Sequence, residues 1–130
     1  MVTFRCYISF DGVDQINAWF DAQDEAVQAD LRAVIETLEA TSRDRWSESC
    51  FKPLENRKGS RCEGLEELIL QVEKIHYRVF GFSGPRDDDF TMLLPFKKND
   101  DPKYKKSCEE AQKRKAEVAN DWNRAREWEA

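Results

Sequence analysis

The chain opens on an alternation. Over residues 3–10, Thr-Phe-Arg-Cys-Tyr-Ile-Ser-Phe, apolar and polar side chains take turns, the two-residue period of a strand with one buried face. Asp11-Gly12 closes it as a turn pair. The period then changes. Ile16, Trp19 and Phe20 recur at i, i+3 and i+4 within residues 14–20, which predicts a helix. Val27, Leu31, Val34, Ile35 and Leu38 carry an apolar stripe through a second helix over 24–40, with acids on the other side. The two helices read as an antiparallel hairpin.

Residues 41–64 follow neither period and contain Pro53, Gly59 and Gly64. They read as a long basic loop, and long loops in compact domains tend to be functional. Strands follow at 65–73, 74–82 and 89–97. Ser83-Gly84-Pro85 turns the chain between the last two. The junction Val72-Glu73-Lys74-Ile75 predicts a tight turn without a favoured turn residue. Pro95 has no N–H to donate, which predicts an edge position or a bulge late in the third strand. Asp100 or Asp101 is an N-cap candidate, with Pro102 in the first turn of a helix running to about residue 128. Tyr104, Cys108, Ala111, Val118, Trp122 and Ala125 form its thin apolar stripe. The order β-α-α-β-β-β-α predicts an α+β fold, with helices packed on one face of a mainly antiparallel sheet and a long C-terminal helix.

Length and composition add limits. A chain of 130 residues suits one domain spanning 1–130. An aromatic share of 12% argues against disorder. No apolar run approaches the roughly 20 residues that span a bilayer, and the N-terminus lacks a signal-peptide pattern, so a cytoplasmic location is expected. The net charge of −5 disfavours nucleic acid only on its face. Residues 1–40 carry two basic against eight acidic groups, whereas 41–62 carry six against three and 103–116 six against two. That asymmetry predicts a dipolar surface. Cys6, Cys50, Cys62 and Cys108 have no paired spacing, and His76 is the one histidine. No metal site and no cofactor are expected, and the cysteines read as free thiols.

The specific signal is an ordered set of short motifs. It runs through Lys52-Pro53-Leu54, Gly64-Leu65-Glu66-Glu67-Leu68, Ile75-His76-Tyr77-Arg78-Val79-Phe80-Gly81-Phe82 and Met92-Leu93-Leu94-Pro95-Phe96-Lys97-Lys98. The set resembles the RelE/ParE superfamily of bacterial toxins, nearest its phage-derived, HigB-like branch, over residues 30–116. The resemblance implies a RelE-like, microbial RNase-like fold. It also implies the toxin role in a type II toxin–antitoxin system, with a cognate antitoxin, of helix-turn-helix type, encoded by the adjacent gene. Most members act as ribosome-dependent mRNA endoribonucleases, or mRNA interferases. The alternative is a ParE-like toxin that binds a protein target, or a prophage remnant that only binds its antitoxin.

By the same resemblance, Arg78 matches a strand arginine on the scissile phosphate and Lys98 a basic residue after the last strand. Tyr104, six positions on, matches a tyrosine that stacks on a base. Alternation puts His76 beside Arg78, as an acid–base candidate. Cleavage through the RNA 2′-hydroxyl needs a base, a cation on the phosphate and an acid at the leaving oxygen. Backbone contacts to ribosome and mRNA are expected from Lys97, from Lys52, Arg57, Lys58 and Arg61 of the loop, and from Lys103, Lys105 and Lys106. One departure stands out. Ile69 and Gln71 occupy strand positions where RNA-cleaving relatives carry cations. Trp122 and Trp128, late in the last helix, are candidate anchors for the antitoxin.

Overall fold

The computed structural model describes residues 1–54 and 61–129. Its elements are β1 (Thr3–Tyr7), α1 (Gln15–Asp21), α2 (Glu25–Glu39), β2 (Phe51–Pro53), β3 (Glu66–Val72), β4 (Ile75–Ser83), β5 (Asp89–Lys97), α3 (Lys105–Asn120) and β6 (Ala125–Glu127). Asp14 caps α1 by accepting from Asn17 N–H at 2.9 Å, and Asp24 caps α2 by accepting from Val27 N–H at 3.1 Å. The six strands lie in the order β2-β3-β4-β5-β1-β6. Every pairing is antiparallel except β1 with β5. This is a mixed α+β fold with a mostly antiparallel sheet, as the alternating patterns predict. Among the described residues no helix is long and apolar enough to cross a membrane.

The helices do not share one face. Leu68, Leu70, Tyr77 and Val79 pack with α1 and α2, while Phe80 and Phe82 pack with Cys108, Ala111 and Val118 of α3. Val79 and Phe80 are neighbours on β4 and point to opposite faces. Each face therefore has apolar surface to cover, and α3 covers the side away from the helical hairpin. The expected one-sided arrangement is corrected to three layers.

A one-residue irregularity sets which side chains reach which layer. Phe80 pairs with Leu94, yet Gly81 pairs with Met92, so Leu93 is an extra residue in β5. Phe90 and Met92 face α1 and α2; Leu93, Leu94 and Phe96 turn toward α3. A Cβ on Gly81 would meet Thr91 O at 2.4 Å, so a glycine is required there. The bulge expected near Pro95 thus falls two residues earlier. Pro95 itself pairs with Val79, past the point where β1 stops at Met92. The β3–β4 turn is tight, with Glu73 in the left-handed region at φ 58°.

Three further expectations are corrected. The 41–64 segment is not wholly irregular. The Trp46 indole N–H donates to Leu38 O and Thr41 O, its ring packs on Phe4, Phe51 and Phe90, and β2 adds an edge strand. The last helix ends at Asn120, and β6 returns to pair with β1. Trp128 N–H donates to Phe4 O, and its ring meets Phe20 edge-on at 5.2 Å, so this indole is committed inside the fold. Last, Cys62 and Cys108 form a disulfide across 46 residues, while Cys6 and Cys50 are free. The return of the chain onto α3, not sequence spacing, brings the two sulfurs together.

Closing a loop of that length restricts the unfolded chain. Cys108→Ser is expected to lower stability by about 2–4 kcal/mol, read as a shift in the urea midpoint under non-reducing conditions. Cys50→Ser, at a free cysteine, is expected to leave the midpoint in place.

Candidate functional site

The site forms where β3, β4 and the entry to α3 meet, on the face turned from α1 and α2. Strand register supplies the groups. Glu67 pairs with Phe80, Ile69 with Arg78 and Gln71 with His76, so all six share that face. Phe96 pairs with Arg78 from the other side. Phe80, Phe96 and Tyr104 pack edge to face with centroids 4.7–5.6 Å apart, and the Lys98 ammonium lies 6.0 Å from the Tyr104 ring.

Tyr104 reaches this position because the chain turns sharply before α3. It sits in the left-handed region at φ 60°, which costs a non-glycine residue about 1–2 kcal/mol. Asp101 holds the turn. Its carbonyl accepts from Tyr104 N–H at 3.0 Å, and its carboxylate accepts from Lys105 N–H at 3.1 Å and Ser107 N–H at 2.7 Å. Burial raises the proton affinity of this carboxyl, but the N–H groups of Ser107, Lys105 and Lys106 outweigh it and hold the pKa below the ordinary 3.8. Asp101, one of the two predicted caps, thus does the capping, although the helix starts at Lys105.

Arg78 is 7% exposed and Glu67 4%. The Arg78 Nε lies 3.4 Å from Glu67 Oε1 and donates to the Tyr104 hydroxyl at 3.2 Å. Its Nη1 donates to Tyr77 O at 2.9 Å and Leu70 O at 3.5 Å. Nη2 has no hydrogen-bond partner among the described residues. The guanidinium is therefore held on one edge and open on the other, an arrangement suited to an oxyanion. Burial pushes the Glu67 carboxyl above its ordinary range, against the pull of Arg78, the Tyr104 hydroxyl, Lys98 and Lys52. Burial, followed by the Glu67 charge, likewise raises the Tyr104 phenol.

The structure thus brings Arg78, Lys98 and Tyr104 together and puts His76 on their face, half-buried. Lys97 pairs with Tyr77 and so belongs to the opposite face. Lys52, exposed on β2, pairs with Glu67 at the site's far side. Arg61, Lys103 and Lys105 line a shallow cavity of about 260 Å³ with Cys62 and Tyr104, and Arg61 is ion-paired with Glu109. Lys106 is exposed in the first turn of α3. Arg57 and Lys58 lie outside the described residues. Ile69 is half-buried beside Arg78, and Gln71 is exposed. Alternation already puts Glu67 on the outward face of β3, but without a site role; its burial against Arg78 comes from the strand register and the cover of Tyr104's segment.

A buried ion pair holds only while both partners are present. Arg78→Met alone is expected to lower stability by about 3–5 kcal/mol, because Glu67 is left as an uncompensated buried charge. The double change Arg78→Met with Glu67→Leu is expected to lose clearly less, as read by urea denaturation of both proteins.

No curated protein and no solved structure matches the chain. The family described as Phage derived protein Gp49-like (DUF891) matches residues 18–116. That stretch is 99 of 130 residues and takes in β3, β4, β5 and every residue of the aromatic and charged cluster. The chain belongs to this Gp49-like, phage-derived family, a family of the RelE/toxin-like kind.

Proposed function

We propose that this protein is the toxin of a type II toxin–antitoxin pair, of the HigB-like branch and with a RelE-like topology, and that it cleaves mRNA on the ribosome in the cytoplasm. The observation that carries the reading is the Arg78 guanidinium, fixed on its Nε and Nη1 edges with Nη2 left open beside Tyr104 and Lys98. A fixed, permanently charged donor is what a pentavalent phosphate needs. Lys98 adds a second positive charge at the same face. Tyr104 offers a ring on which a base can stack, a contact that holds nucleotides regardless of sequence. His76 lies two residues from Arg78, about 7 Å along the strand, and serves as the acid at the leaving oxygen. None of these steps needs a metal.

Charge placement supports the same reading. The acidic hairpin covers one face, while Lys103, Lys105 and Lys106 sit at the start of the helix on the other. A polyanion therefore meets a cluster of positive charge on the site's side. The cognate antitoxin, encoded beside the toxin gene, is proposed to neutralise this basic edge with an acidic or amphipathic segment. The apolar stripe of α3 is not its docking surface, because Cys108, Ala111 and Val118 are buried against the sheet. Trp122, 53% exposed, remains available to a partner.

One observation favours a non-nucleolytic toxin instead. Ile69 stands directly across from Arg78, where a cation would add a phosphate contact. The two readings separate on Lys98→Ala, which removes the half-buried ammonium beside the Tyr104 ring. The nuclease reading expects at least a tenfold slower cleavage of ribosome-bound mRNA, together with relief of growth arrest at equal protein level. Growth arrest by the wild type without any mRNA cleavage establishes the alternative.

Ribosome association is expected to weaken steeply with salt through counterion release. Replacing Lys103, Lys105 and Lys106 together with alanine is expected to flatten the slope of log K against log salt by about 2. Sedimentation with ribosomes across a salt series checks this, and an unchanged slope takes the three lysines out of the interface.

A further inference from the structure

We propose that the Cys62–Cys108 disulfide is a redox site, opened and closed by a dithiol carrier of the thioredoxin type, and that its state sets whether Arg61 stands with Lys103 and Lys105 as a contact for RNA. The inference rests on the proposed reading of this basic edge as RNA-binding and adds to it a site of modification and its chemical partner.

The first observation is asymmetric access. Cys108 is fully buried against the sheet, whereas Cys62 is half-buried. Cys62 lines the shallow surface cavity of about 260 Å³ together with Arg61, Lys103, Tyr104 and Lys105. Thiol–disulfide exchange begins when a thiolate reaches one of the two sulfurs. A bridge enclosed on both sides would be inert; this one opens to solvent at Cys62 Sγ.

The second observation is charge. Arg61, Lys103 and Lys105 place cations around the reachable sulfur. Cations favour a thiolate over a thiol. They draw in the attacking group and stabilise Cys62 when it is released. In the cytoplasm, the location proposed above, disulfides are rare, and those that form are mostly transient and redox-sensing.

The third is coupling to the site. Cys108 follows Tyr104 by one helical turn, and its N–H donates to Tyr104 O at 3.0 Å. Cys62 adjoins Arg61, so the covalent bond pins Arg61 beside the turn that carries Tyr104. The other fastenings of this segment are an ion pair of Arg61 with Glu109 and hydrogen bonds from Gln112 and Lys115 to its carbonyls. All of these are exposed, and exposed pairs hold a side chain only weakly against water. With the disulfide open, they alone keep Arg61 in place.

The exchange balances as follows. A carrier thiolate attacks Cys62 Sγ and forms a mixed disulfide. The electron pair of the broken S–S bond leaves on Cys108 Sγ, which takes a proton. The carrier's second thiolate then attacks the carrier sulfur of the mixed disulfide, and Cys62 leaves with the electron pair and takes a proton. The carrier loses two electrons and two protons and becomes a disulfide; the protein gains both and becomes a dithiol. An oxidised carrier runs the same steps in reverse.

The test uses the full chain, with thioredoxin as the carrier and a labelled single-stranded RNA as the ligand. Thiol alkylation reads the redox state, and fluorescence anisotropy reads RNA affinity. Thioredoxin is expected to reduce the folded protein, and a thioredoxin lacking its second cysteine is expected to be trapped on Cys62. Reduction is expected to weaken RNA binding about fivefold at about 0.1 M salt and to make the slope of log K against log salt shallower by about 0.7, the loss of one phosphate contact to a single strand. Arg61→Ala in the oxidised protein is expected to show the same loss and no further response to reduction. That variant decides the matter if the reduced chain does not keep its fold. A disulfide that is reduced only in denaturant overturns the proposal. So does equal RNA affinity of the oxidised and reduced forms, or an Arg61→Ala variant that binds as the wild type does. RNA bound in neither state overturns the RNA-binding reading of this edge, a failure distinct from that of the exchange, which alkylation reads without any RNA.

Discussion

The ion pair between Arg78 and Glu67 is the constraint around which the site side of the sheet is arranged. Two charges this deeply buried are tolerated only when each compensates the other. The β3–β4 register sets them one diagonal apart. Backbone carbonyls of β3 and β4 occupy Nη1, and the Tyr104 hydroxyl occupies a place at Nε. The strained backbone at Tyr104, the Asp101 cap that holds it and the edge-on contacts with Phe80 and Phe96 all serve to deliver one hydroxyl to one guanidinium. Stability and proposed chemistry therefore share the same atoms.

The layers distribute these demands. The α1–α2 side holds the larger apolar cluster and carries the acidic surface. The α3 side holds a smaller cluster, the disulfide and the basic residues. Segment 61–64 is fastened to α3 several times over, through Cys62–Cys108, Arg61 with Glu109, Gln112 with two carbonyls and Lys115 with Gly64 O. The end of the basic loop is thereby fixed next to Tyr104, even though the strands themselves contribute only a few charges to that face.

Much of this was legible in the residues. The periodic stretches predicted β1, α1, α2 and the three central strands closely, because local alternation and helical spacing directly reflect burial. Arg78 and His76 fell on the outward face for the same reason. What escaped depends on contacts between distant segments. Nothing local indicates that 62 meets 108, that β6 returns to β1, or that α3 crosses to the second face. Residues 125–127 kept the helical spacing of a short apolar pattern, and only pairing with β1 makes them a strand. Lys97 and Lys98 look equivalent as a pair, but Lys97 is the last residue of β5 and faces with Tyr77, whereas Lys98 opens the turn that leads to Tyr104. Glu67 carried no assigned role because a carboxylate in a strand reads as solvated until its burial is known.

The extra residue at Leu93 works as a parity switch. Before it, even-numbered residues of β5 serve the helical hairpin; after it, even-numbered residues serve the site. A strand with uninterrupted alternation would satisfy either the core beneath Phe90 and Met92 or the aromatic wall formed by Phe96, but never both. One unpaired residue lets a single continuous strand belong to two layers in succession. Insertions and deletions within β5 are therefore far more consequential than substitutions of similar size, since a shift by one would exchange the contents of the two faces while leaving the composition of the strand almost unchanged.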